Sequence, residues 1–206
     1  MTAEKKQRVM VYVDGFNLYF GMVESSLDTK WLDISKLALS RLKSNQELVG
    51  IKYFTSNITN DPPKEARQRT YIDALETTGA IIIRGKYESK AVNCEGCGKV
   101  WYRSNEKKTD VNIATSLIFD ALKDKYDVAI LISGDSDLIP AINMVHDEFN
   151  PKIVTVFFPP NRYTASVAAA ATGSMILGRS LLVKSQFDNE VKKADGFTLR
   201  KPPSWT

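Results

Sequence analysis

YDVAILISGDSDLIPAI, residues 126–142, decides how this chain is read. Residues 126–133 are its most apolar run, too short for a helix and suited to a strand buried on both faces. The run stops at Ser133 and Gly134, and two carboxylates follow with one residue between them, Asp135 and Asp137. DLIPAINMVHDEF (137–149) then reads as a helix, with Pro140 in or near its first turn. Strand, polar break and helix make one unit of an α/β sheet, with the carboxylates at the strand's C-terminal end. They either shape the turn or hold a cation.

The same unit recurs outward along the chain. RVMVYVD (8–14) is a short β-branched strand, followed by the helix GFNLYFGMVES (15–25). DISKLALSRLK (33–43) places Ile34, Leu37, Ala38 and Leu42 near helical spacing behind Asp33 as N-cap. LVGIKYFTSNI (48–58) is a second strand and AIIIRGKYE (80–88) a third; Pro62 and Pro63 open the helix between them and Gly79 closes it. Thr109 is expected to cap DVNIATSLIFDALKD (110–124), whose Val111, Ala114, Leu117, Ile118 and Ala121 form an apolar stripe. KIVTVFFP (152–159) is the fifth strand. TASVAAAATGSMILG (164–178) reads as a small-residue helix packed on the sheet, within a remainder of one or two small helices and a polar tail ending in RKPPSWT.

Apolar strands alternating with amphipathic helices imply a parallel sheet covered on both faces. Sites in such sheets form beyond the C-terminal strand ends, where strand order reverses. The length of 206 residues fits one domain spanning 1–206, with an insert at about 89–107 and a C-terminal extension from about 178. A hydrophobic content of 43% with 25% charged residues is that of an ordinary globular protein. The net charge of +4 permits a polyanionic partner without requiring one. No stretch nears the roughly 20 apolar residues of a membrane span. With no export signal and two cysteines, the expected setting is the cytoplasm, with no membrane partner.

The first strand ends in Asp14, with Gly15 and Asn17 after it; the fourth ends in Ser133, Asp135 and Asp137; the helix before it opens at Asp110. Each acid has an ordinary reading, as a turn residue, a helix cap or a partner of the helix dipole. Together they make four carboxylates on one rim, which repel unless a cation sits among them. Mg²⁺ and Mn²⁺ are hard ions suited to such oxygen ligands.

YVDGFNLYFG, KKTDVNIATSLIFDAL and YDVAILISGDSDLIPAI together resemble the three motifs of the NYN domain, in its LabA-like branch of the PIN-like nuclease superfamily. The resemblance runs over roughly residues 8 to 160. It implies a three-layer, Rossmannoid α/β fold whose five-stranded parallel sheet has the order 3-2-1-4-5. It also implies a metal-dependent ribonuclease acting on RNA with Mg²⁺ or Mn²⁺. On these motifs Asp14, Asp110, Asp135 and Asp137 are the metal-site acids, Asn17 is the polar companion of Asp14, and Ser133 orients a carboxylate or the water. A non-catalytic module binding RNA or protein through the same rim is the alternative. His146, the only histidine, leaves no Ser–His–Asp arrangement, and no glycine-rich phosphate loop is present.

Lys107, Lys108 and Arg162 fall near the rim and are the candidate phosphate contacts, with Phe16 and Tyr19 as candidate stacking surfaces. The insert carries Cys94 and Cys97 in the form of a zinc knuckle with half the usual ligands. Reduced thiols in a tight turn are the plain reading; a zinc ion shared between two subunits and a redox pair are the others. The insert and the segment 164–178 are the two places where a homodimer could form.

Overall fold

The computed structural model describes residues 5–25, 27–59, 61–93, 96, 97 and 100–205; over 86–93 and 101–107 only the backbone is described. The elements in chain order are β1 (Gln7–Asp14), α1 (Gly15–Glu24), α2 (Ile34–Leu39), β2 (Gln46–Thr55), α3 (Pro62–Thr77), β3 (Ile81–Arg84), β4 (Lys86–Asn93) and β5 (Val100–Lys107). There follow α4 (Thr109–Leu122), β6 (Val128–Ile132), α5 (Ile139–Glu148), β7 (Ile153–Phe158), α6 (Ala165–Ala170), β8 (Gly173–Ile176), α7 (Arg179–Lys184), β9 (Glu190–Lys192) and β10 (Thr198–Arg200).

Period-two alternation in β1 sorts its side chains between two cores. Val9, Val11 and Val13 enter one core with Leu18 of α1, Leu37 of α2 and Leu75 of α3. Met10 and Tyr12 enter the other, with Ile113 and Leu117 of α4, Ile142 of α5 and Val167 of α6. The sheet is therefore covered on both faces, and its order is β3-β2-β1-β6-β7-β8 with every pairing parallel. Counted within the sheet alone this is 3-2-1-4-5-6. Strand order reverses between β1 and β6, where Val13 faces Ile132 at the strand ends.

The sixth strand corrects the expected five. Residues 164–178 are not one helix: α6 ends at Ala170, and Gly173–Ile176 pairs along β7 with Thr155 opposite Gly173. Four residues alternating between half-buried and exposed complete the sheet edge, a pattern hidden behind the alanine run. The third strand is also shorter than expected. It ends at Arg84, and after Gly85 the chain leaves the sheet as the antiparallel ribbon β4–β5, which contains the cysteine insert.

The presumed polar tail folds onto the first core. Leu182, Leu199 and Trp205 are buried, and the Trp205 ring stands 5.6 Å from that of Tyr71 and 6.3 Å from that of Trp31. One aromatic among polar residues leaves no periodicity to read. His146 is structural: its Nε2 accepts from the Val154 N–H at 3.2 Å and lies 3.0 Å from Thr172 Oγ1. On α4, fully buried Asp120 accepts from the Tyr12 hydroxyl at 2.9 Å and pairs with Lys52 and Lys125. Burial works against its charge, but those three donors prevail and hold its pKa below the usual carboxylate range. This acid belongs to the core and not to the rim. No helix among the described residues is long and apolar enough to cross a membrane.

Candidate active site

The C-terminal ends of β1 and β6 and the start of α4 meet at the switch point, and they bring three acids together. Asp14, Asp110 and Asp135 each offer a carboxylate oxygen, all within 4.8 Å of one another. Asp14 is 5% exposed and rigidly held. Its Oδ1 accepts from the Asn17 N–H at 3.0 Å, capping α1, and its Oδ2 accepts from the Ser133 hydroxyl at 3.0 Å. Ser133 is fully buried, and its oxygen accepts in turn from the Asp135 N–H at 3.1 Å. Asn17 closes the network from α1, its Oδ1 accepting from the Gly134 N–H at 3.0 Å.

Capping and clustering therefore coexist. Asp135 accepts from the Asp137 N–H at 2.9 Å and so caps the single 3₁₀ turn before α5, yet still turns a carboxylate oxygen toward Asp14 and Asp110. Asp137 is exposed and stands outside the close trio, near enough to act on Asp110 electrostatically. Burial pushes the Asp110 carboxyl upward, and the charges of Asp135 and Asp137 push it further. An all-oxygen donor set, one member buried and oriented and another destabilised by its neighbours' charge, fits a hard divalent cation.

Two details of the backbone set this geometry. Lys108 adopts φ +79°, a left-handed conformation that costs a non-glycine residue roughly 1–2 kcal/mol, and the chain thereby turns from β5 into α4. The helix begins at Thr109 with no side-chain cap from Lys108, so the expected Thr109 cap is displaced by this turn. Gly134 is a steric requirement: a Cβ there would lie 1.8 Å from the carbonyl oxygen of Arg162. Thr164 Oγ1 donates to the Gly134 carbonyl at 2.7 Å, so the loop after β7 clamps the loop that carries Asp135. Neither contact leaves a trace in the sequence beyond the glycine itself.

Of the candidate phosphate contacts, Lys108 is exposed beside Asp110. Arg162 lies at the rim, but its guanidinium is ion-paired with Glu24 at the end of α1. The side chain of Lys107 lies outside what is described, as does Cys94; Cys97 is exposed in the turn of the ribbon.

Beside the trio, between α1 and α3, opens a cavity of about 320 Å³. It begins at Gly15 and Phe16, directly after Asp14, and its wall includes Tyr19, Phe20, Tyr71 and Trp205. Sequence reading named Phe16 and Tyr19 as stacking surfaces but not the cavity, because its wall also draws on β2, α3 and the far C-terminal segment.

The sequence profile of the NYN domain matches residues 8–177. The chain belongs to the NYN domain family. That places it in the PIN-like nuclease superfamily. A curated relative, the 6-hydroxy-3-succinoylpyridine 3-monooxygenase HspA of Pseudomonas putida, is 25% identical over 184 residues. The match covers 72% of this chain and 59% of that relative, so the chain spans well under two thirds of its length. A solved structure of a protein of unknown function from Vibrio parahaemolyticus superposes with a TM-score of 0.60 at 22% identity. That match covers 86% of this chain and 97% of the other, and shows a shared fold.

Proposed function

We propose that this NYN domain is a Mg²⁺- or Mn²⁺-dependent ribonuclease that hydrolyses RNA phosphodiester bonds at the Asp14–Asp110–Asp135 trio. The observation that carries this reading is the convergence of three carboxylates from distant segments within 4.8 Å, with Asp14 buried and doubly hydrogen-bonded. These three residues would hold the ion. A divalent cation there supplies a lowered pKa for water and stabilisation of charge on the phosphoryl oxygens.

The protein's own contribution is positional. Ser133 and the Asn17 N–H fix Asp14, and Ser133 passes that order to Asp135 through its N–H. The carboxylate of Asp137 has no hydrogen-bonding or cationic partner among the described residues, and we assign it the proton released by the attacking water. In-line attack forms the new P–O bond as the bond to the 3′ oxygen breaks. The products are a 5′-phosphate and a 3′-hydroxyl.

The test is cleavage of labelled single-stranded and structured RNA with Mg²⁺, Mn²⁺ or EDTA, comparing wild type with Asp135→Asn. Metal-dependent cleavage lost in the variant is expected; equal turnover by the variant refutes the assignment. A second reading, oxygenation of a small heteroaromatic compound, takes its cue from the name of the Pseudomonas relative. The aromatic cavity beside the trio is the observation in its favour.

A further inference from the structure

The cavity between α1 and α3 combines three properties that point to one kind of ligand. Its wall is rich in aromatic side chains, six of fifteen lining residues, with Phe16, Tyr19 and Phe20 on α1 and Tyr71 on α3. Its charged lining residues are Lys30, Lys64 and Arg67, with no carboxylate among them. Lys64 is paired with Asp61 at 2.8 Å, whereas Lys30 and Arg67 have no hydrogen bond or ion pair among the described residues. Its wall also starts at the residue after Asp14, and consecutive Cα atoms are only about 3.8 Å apart.

We propose that this cavity seats one nucleobase of a single-stranded RNA, stacked on the α1 aromatics, with Arg67 and Lys30 taking the phosphate beside it. Aromatic faces accept any base, and the lining cations Lys30 and Arg67, unpaired among the described residues, match the sugar–phosphate that must follow. A volume of about 320 Å³ lies at the lower end of ligand sites, so it suits one ring system and not two. The strand then runs from the cavity toward the acids, and the bond cut is set by distance from the seated base. Polar base edges find little to read here, because Gln68 already spends its amide on the Thr55 hydroxyl, the Ser56 carbonyl and the Ile58 N–H. Selection is thus for a flipped, unpaired base and not for its identity. This inference rests on the ribonuclease reading for its substrate, though its binding test does not.

Trp205 lines the cavity and reports on it. Tryptophan fluorescence is titrated with adenosine 5′-monophosphate, ribose 5-phosphate, nicotinate and a single-stranded pentaribonucleotide, all with EDTA present. The nucleotide should quench, ribose 5-phosphate should bind roughly tenfold more weakly, and the pentanucleotide should bind more tightly than the mononucleotide. Phe20→Ala, at a position 46% exposed and safe for the fold, should weaken the nucleotide by roughly fivefold or more, and Arg67→Gln should weaken both phosphates. Equal affinity for ribose 5-phosphate and the nucleotide overturns the base site. So does tighter binding of nicotinate, while equal affinity for mono- and pentanucleotide overturns its assignment to a strand. If Asp135→Asn abolishes cleavage while Phe20→Ala and Arg67→Gln bind and cut as wild type, the base site falls and the ribonuclease stands. If the nucleotide binds as expected but wild type cuts no RNA, the reverse holds.

Discussion

Replacing Ser133 by alanine removes one hydroxyl that serves two acids. That hydroxyl donates to Asp14 Oδ2 at 3.0 Å and accepts from the Asp135 N–H at 3.1 Å, in a fully buried position. A hydrogen bond to a charged group is worth about 1.5–3 kcal/mol and a neutral one about 1 kcal/mol, and part of both is regained if water enters the gap. The net loss should therefore be about 2 kcal/mol, which lowers the melting temperature of a chain this size by roughly 4–8 °C. The larger effect falls on metal binding, because residues that orient ligands typically contribute 10–100-fold to affinity. Mn²⁺ titration by calorimetry should show Ser133→Ala weaker by about that factor while far-UV dichroism stays native. Affinity within about twofold of wild type would show that Asp14 and Asp135 hold their places without Ser133, and the positional account of the site would fail.

Gly134→Ala should destabilise by about 3 kcal/mol or more, because the added carbon meets backbone and not a movable side chain, whereas Gly178→Ala, which faces open space, should melt within a degree or two of wild type. Asp110→Asn removes a carboxylate whose pKa is raised by burial and by its neighbours' charge; without metal its melting temperature should rise at pH 7, with the gain fading as the pH falls and the wild-type carboxyl protonates. The same variant should bind Mn²⁺ more weakly, and a lower melting temperature without metal would contradict the repulsion inferred among the trio. At the opposite end of the sheet, hydrogen bonds from the Arg8 guanidinium bring Asp127 down to about 2. Its stabilisation is complete above the ordinary carboxylate range and is lost as the pH falls toward 2. The side chain is 34% exposed, so the pair is worth about 1 kcal/mol after screening, and Asp127→Asn should lower the melting temperature at pH 7 but not near pH 2.

The acids were legible because chemistry at a strand end is local. VDGFN and ISGDSD each announce a buried strand that stops in polar residues, and parallel topology then places their ends together. The roles expected of Asn17 and Ser133 came from the resemblance to the NYN motifs; in the structure Ser133 bonds to Asp14 and Asn17 to the Gly134 N–H. Contacts that join segments with no shared pattern were not legible. Arg162 is a candidate phosphate contact from sequence, yet it pairs with Glu24 far away in the sequence, and its carbonyl fixes the glycine of another loop. Trp205 stood in a polar stretch and gave no periodicity, although it helps wall the cavity. The short edge strand at Gly173–Ile176 was masked by the alanines before it.

The bond between Ser133 and Asp14 joins residues 119 apart in the sequence, and the strands that carry them are sheet neighbours. Contacts of such high order form late, because the entropy of closing a long loop must be overcome before the pairing returns any free energy. Asp110 lies late in that loop and Asp135 just beyond its end, so no single local segment carries the complete trio. A chain still on its way to the native state therefore lacks the assembled trio. Whatever chemistry the trio supports can begin only once the sheet is complete.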